Sequence, residues 1–235
     1  MKGRRRPGCS GQLRHLMMLV SVCLTGCGGQ VSVDFTIGTP TSAGPADPPY
    51  GESVTFPSGL RLQLVRDPGL SASYPNPEAN PFGLSRQHHY RKVGNFVDVS
   101  RAPLSQRVSE NFLLSEYVAP TLQRGGRRAY VDPEIAGHLQ QIRSGLGRPL
   151  VVNSAYRTPE HNRAVGGATY SRHLYGDGVD VDVDQFSVDA DTRAQEIFNE
   201  AMDVGVNFAA PLTETTAPVN GSSVVSWVHL DDRGF

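Results

Sequence analysis

Cysteine is scarce in this chain and poorly placed for cross-linking. Three occur in 235 residues, at Cys9, Cys23 and Cys27, and none follows. No disulfide can therefore staple the remaining two hundred or so residues, and their stability must come from an ordinary apolar core. Long apolar runs are missing too. The stretch Leu16-Met17-Met18-Leu19-Val20-Ser21-Val22-Cys23-Leu24 falls well short of the ~20 residues that span a bilayer. Nor is there a surplus of positive charge, since 22 Lys and Arg face 23 Asp and Glu for a net charge of −1. A phosphate-tracking surface needs clustered Lys and Arg, so no nucleic-acid partner is expected. With 38% hydrophobic and 19% charged residues, the composition is that of a globular protein.

What is present starts with basic residues, Lys2, Arg4, Arg5, Arg6 and Arg14, ahead of the Leu16–Leu24 run. A positive segment before a short apolar one reads as a secretory signal. The run closes with Leu24-Thr25-Gly26-Cys27, which resembles the lipobox of bacterial lipoproteins. That resemblance implies cleavage before Cys27, lipidation of Cys27 and attachment to a membrane. Residues 1–26 are read accordingly as a lipoprotein signal peptide. Residues 27–50, rich in Gly, Pro, Ser and Thr, are read as a flexible tether.

Residues 51–104 form a β-rich or extended segment, because apolar and polar residues alternate over 53–66 and again over 95–99. The pattern suits a small β module and an N-terminal wrap equally. A single domain is expected over 105–235. Asp132-Pro133-Glu134 opens a helix with Ile135, Leu139, Ile142 and Leu146 on one face, ended by Gly145 and Gly147. A buried-type strand follows at 149–153, then a loop over 154–170, a strand at 179–183, a helix at 192–204 and a closing strand at 224–231. The layout is α+β, a small antiparallel sheet with helices packed on it.

Three residues invite a metal reading: His173, Asp180 and His229. Two imidazole nitrogens and one carboxylate oxygen suit Zn²⁺ and leave a fourth position for water. Gly176 and Gly178 permit a turn that brings His173 and Asp180 to one point. Spacing alone is weak support, since a lone histidine is more often a core or surface residue. His138, within the first helix, reads as a structural histidine; His161, His88 and His89 read as loop or surface residues. Asp182 and Asp184 read as the wet face of a strand rather than a second metal cluster.

The segment Ser171-x-His173-x-x-Gly176-x-Gly178-x-Asp180 resembles the Ser-x-His-x-x-Gly-x-Ala-x-Asp signature of the zinc D-Ala-D-Ala metallopeptidase family, which includes carboxypeptidases, dipeptidases and phage endolysins. Gly178 replaces the alanine. Upstream, the run from Asn153 to Asn162 and Val165-Gly166-Gly167-Ala168 resemble the family's preceding segment. Downstream, Ser226-Trp227-Val228-His229-Leu230-Asp231 resembles the closing segment of one carboxypeptidase-like branch. The resemblance implies a Zn²⁺ site of His173, Asp180 and His229, within a hedgehog/D-Ala-D-Ala-peptidase-like fold. It also implies Arg157 beside the metal, to stabilise charge on the scissile carbonyl or to grip a substrate carboxylate, and Ser171 within reach of substrate.

One departure stands out. Several related enzymes carry Glu three residues before the last histidine ligand, where this chain has Ser226. Asp231 is the expected substitute as proton acceptor, because residues two apart on a strand share a face. A role in orienting His229 is an equal alternative, and Asp232, Asp177 and Glu160 remain candidates. The expected function is hydrolysis of peptidoglycan stem peptides, as a D,D-carboxypeptidase or endopeptidase, by a monomer lipid-anchored on the periplasmic side of the outer or inner membrane. The alternative is a non-catalytic zinc- or peptidoglycan-binding lipoprotein.

Overall fold

The computed structural model describes residues 50–123, 127–184, 187–219 and 222–233. The signal peptide, Cys27 and the tether to Pro49 lie outside the described residues. The fold is α+β, with two antiparallel four-stranded sheets and a β hairpin.

The first sheet joins β1 (Tyr50–Thr55), β2 (Arg61–Arg66), β3 (Asn95–Asp98) and β4 (Arg128–Ala129) in that order. Alternation in β2 turns Leu62 and Leu64 inward and leaves Arg61, Gln63 and Arg66 outside, as a half-buried strand requires. The short helix α1 (Pro68–Ala72) falls between β2 and β3, and α2 (Leu114–Tyr117) and α3 (Pro120–Gln123) fall between β3 and β4.

Helix α4 (Pro133–Leu146) forms where its caps demand. The Asp132 carboxylate accepts from the Glu134 amide, Pro133 takes the first turn, and Gly147 closes the helix in the left-handed region. It runs on through Gly145 to Leu146, one residue past the first glycine expected to end it. Ile135, Leu139 and Ile142 are fully buried, contributing about 1.5–3 kcal/mol each.

The second sheet contains β5 (Val152–Ser154), β6 (Gly178–Asp182), β7 (Phe208–Ala209) and β10 (Trp227–Asp231), in the order β5-β6-β10-β7. The short helix α5 (Pro159–Ala164) follows β5, and α6 (Ala190–Asp203) packs its buried Ala194, Ile197 and Ala201 beneath β10. The closing strand expected at 224–231 is interrupted. Ser226 separates β10 from β9 (Ser222–Val225), which pairs instead with β8 (Thr216–Val219).

The segment over residues 51–104 is built into the body. Phe56, Leu62, Leu64, Val97 and Val99 share one core cluster with Ile135, Leu139, Val179, Val181 and Leu230. A second cluster, Tyr74, Tyr90, Phe96, Leu174 and Tyr175, joins the N-terminal segment to the turn that carries His173.

Candidate metal centre

Strand register puts the site together. Asp180 on β6 stands opposite His229 on β10 and Ser154 on β5, so three neighbouring strands present these side chains side by side. His173 comes from the 3-10 turn Arg172–Tyr175 immediately before β6.

Two glycines let that turn fold back onto the strand. Gly176 has φ +76, and a Cβ there would meet the Tyr130 carbonyl oxygen at 2.8 Å. At Gly178 a Cβ would lie 2.9 Å from the backbone of Arg172 and His173. Below the turn, the Arg172 guanidinium makes a bidentate pair with Asp177, with Nε 3.0 Å from Oδ1, and donates to the His89 carbonyl at 2.7 Å. It also lies over the Tyr175 ring, 4.7 Å from its centre. Tyr74 adds a bond to the Leu174 carbonyl at 2.8 Å.

The histidines are oriented from behind. His173 Nδ1 donates to the Ala155 carbonyl at 2.7 Å, which leaves Nε2 directed at Asp180 Oδ2, 3.2 Å away. His229 Nε2 faces Asp231 Oδ2 at 3.1 Å, and its Nδ1 lies 2.8 Å from Asp180 Oδ1. One nitrogen of each ring and a carboxylate oxygen of Asp180 lie within 4.8 Å of one another, so the group can hold a metal ion. The outer nitrogens are engaged by hydrogen-bond acceptors, which fixes the tautomers that a metal ligand needs.

Electrostatics agree with a cation site. Burial alone would raise the Asp180 carboxyl, but its bonds to His173 and His229 override this and hold it well below the usual carboxylate range. Burial would lower His229 as well; its bonds to Asp180 and Asp231 reverse that and push it up to about 9. At His173 burial prevails and the pKa is lowered, with Asp180 opposing. Positive charge is thus drawn to the point between Asp180 and His229, where either a proton or a metal satisfies it.

Arg157 borders the same point. Its Nη2 donates to Asp180 Oδ2 at 2.7 Å and its Nε to Ser154 Oγ at 2.8 Å, leaving Nη1 without a bond among the described residues. Arg157, Ser171, His173, Asp180 and His229 all line a cleft of about 450 Å³, a volume suited to a small ligand or a few residues of peptide.

Residues 112–207 match the family model of Peptidase M15. That segment is a Peptidase M15 domain. The match takes in Arg157, Ser171, His173 and Asp180 and stops short of His229, which the pairing of β10 with β6 returns to the site. No curated protein matches the chain. The Peptidase M15 match supports a metallopeptidase, and the residues present fit a metal.

Other acidic residues of the Peptidase M15 domain and its C-terminal extension are placed elsewhere. The Asp231 side chain is fully buried, bonded to Arg233 through both oxygens and set against the outer nitrogen of His229 rather than in the cleft. Asp232 pairs with His138 at 2.9 Å, Asp177 with Arg172, and Asp182 accepts from Asn153. Glu160 sits in the first turn of α5, and neither it nor His161 is part of the cleft lining.

Three residues of the lining had not been picked out in the sequence, Ala210, Glu214 and Thr215. No periodicity marks Glu214, which ends a 3-10 turn over Leu212–Glu214. Its proximity depends on a backbone bond between distant residues, Ser226 N–H to the Thr215 carbonyl at 2.9 Å.

Proposed function

We propose that the protein is a zinc peptidase that hydrolyses peptidoglycan stem peptides in the cell envelope, as a D,D-carboxypeptidase or endopeptidase. The observation that carries this is the convergence of His173 Nε2 and His229 Nδ1 on Asp180, with Arg157 2.7 Å from the same carboxylate, at the side of an open cleft. A zinc ion held by these three side chains would supply a Lewis acid and an acidified water.

The chain's own residues then have separable tasks. Asp231, on the outer nitrogen of His229, keeps Nδ1 turned toward the metal position. Ala155 does the same for His173 through its carbonyl. Arg157 spends two of its donors on Ser154 and Asp180, which locks the guanidinium plane; Nη1 is left for a carbonyl oxygen gaining charge or for a terminal carboxylate. Ser171, at the rim, offers a hydroxyl to the peptide backbone of the substrate.

The envelope assignment rests on the lipobox-like Cys27 and on the Gly- and Pro-rich stretch after it, which would let a lipid-anchored monomer reach the wall. One observation favours a second reading, a zinc- or peptidoglycan-binding lipoprotein without activity. Ser226 carries no carboxylate and Asp231 is sequestered by Arg233, so neither can take a proton from water in the cleft.

The deciding experiment is release of peptides or D-alanine from purified peptidoglycan by the full chain, with and without a chelator, beside H173A. Release that is abolished by both treatments establishes the zinc peptidase. Stoichiometric zinc with no cleavage of any stem peptide leaves the binding lipoprotein.

A further inference from the structure

Metal-assisted amide hydrolysis needs a group that accepts a proton from the attacking water and delivers one to the departing nitrogen. Asp180 is committed to the metal position, and Asp231, Asp177, Asp232 and Asp182 are each engaged away from the cleft. One further carboxylate lines the cleft among the described residues, Glu214. Its side chain has no hydrogen bond or ion pair with any described residue.

The backbone around Glu214 is fixed at one end to the strand that carries His229 and at the other to Ser226, the residue just before that strand. The Ala210 amide donates to the His229 carbonyl at 3.0 Å, and the Ser226 amide donates to the Thr215 carbonyl at 2.9 Å. Between these anchors the chain rises in a tight turn, closed by Glu214 N–H to the Pro211 carbonyl at 2.8 Å. Thr215 is buried, 2% exposed, and its hydroxyl donates to the Leu212 carbonyl. Glu214 is therefore an exposed acid on a pinned turn, adjoining the backbone of Ser226.

We infer that Glu214 is the proton acceptor of this site, a carboxylate brought from a neighbouring turn to the place that Ser226 leaves without one. The inference rests on the peptidase reading above. As the water oxygen bonds to the carbonyl carbon, its proton passes to the Glu214 carboxylate. That proton then goes to the amide nitrogen as the C–N bond breaks. The products are a carboxylic acid and an amine, and Glu214 is returned as carboxylate.

The test compares the full chain with E214Q and E214D. It reads zinc stoichiometry and affinity by competition with a chelator, affinity for a stem peptide ending in D-Ala-D-Ala, and cleavage of purified peptidoglycan. E214Q is expected to bind zinc and peptide within about threefold of the parent while cleavage falls roughly 10²–10⁴-fold, the usual worth of a general base. E214D, which keeps the carboxylate one methylene back, should fall between the two. Cleavage by E214Q within about threefold of the parent would overturn the assignment while leaving the peptidase standing. Loss of zinc from E214Q would also overturn it, making Glu214 a ligand. A parent protein that binds zinc and cleaves no stem peptide removes the peptidase reading and the role of Glu214 with it.

Discussion

At the scale of single residues, the site is a contest between one proton and one metal ion for the same nitrogen. His229 Nδ1 lies 2.8 Å from Asp180 Oδ1, and the two carboxylates flanking the ring push its pKa from an ordinary 6.5 to about 9. A histidine raised on folding stabilises the folded state fully below its unfolded pKa, and that contribution is lost as pH rises through the folded value. In a chelator the melting temperature should therefore decline between about pH 6.5 and 9. Zinc must displace the proton from Nδ1, so its stabilisation should grow over the same window and each ion bound should release a proton. Thermal melts with and without zinc, and calorimetry in buffers of different ionisation enthalpy, measure both effects. Asp231 acts one bond further out. D231N keeps the shape but removes the charge facing His229 Nε2, and zinc affinity should fall about 10–100-fold. At Arg157 the planar fork matters more than the charge, since it reaches Ser154 and Asp180 together. R157K should retain zinc while kcat/KM drops roughly 10²–10³-fold, the range for removing one donor to a developing oxyanion.

At the scale of elements, the turn Arg172–Tyr175 positions one of the three candidate metal ligands and the pairing of β6 with β10 positions the other two. G176A would place a side chain at φ +76 against the Tyr130 carbonyl. A cost of about 1–3 kcal/mol is expected, with zinc affinity falling alongside as His173 moves; denaturation and chelator competition on the same variant read both. This turn and α4 were legible in the sequence for local reasons. Asp132, Pro133 and Gly147 sit at the caps, apolar residues recur at helical spacing, and His173 and Asp180 fall within one short glycine-bearing segment. His229 was a candidate from its residue type on a closing strand, but nothing local ties it to Asp180, and the resemblance of its segment to a family strengthened that link. The break at Ser226 was missed, since Val224 to Asp231 is rich in strand-forming apolar residues and reads as one strand, and the shift of β9 to β8 depends on a hairpin partner. Glu214 was invisible for the same kind of reason. A long-range backbone bond, not a periodicity, sets it beside the cleft.

Over the whole molecule, the question left open by the sequence for residues 51–104 is answered by where their apolar side chains go. Phe56, Leu62, Leu64, Val97 and Val99 are buried in the same cluster as α4, β6 and β10, and Tyr74 and Tyr90 lie under the turn that carries His173. At about 1.5–3 kcal/mol for each buried side chain, those first five contribute on the order of 10 kcal/mol. That is comparable to the ~5–15 kcal/mol by which a domain is stable at all. A chain beginning at 105 would also expose the faces of Ile135 and Leu139 and remove Tyr74 from the Leu174 carbonyl. Such a truncation should show no cooperative melt and no stoichiometric zinc, even though all three ligands, Arg157 and Glu214 remain. A chain beginning at 47 should keep both. If the shorter chain instead melted cooperatively and bound one zinc, the first sheet would be an accessory layer, and support for the His173 turn would have to come from within residues 105–235, from the Arg172–Asp177 pair and the backbone bonds of Arg157 to His173 and Asp132 to Gly176.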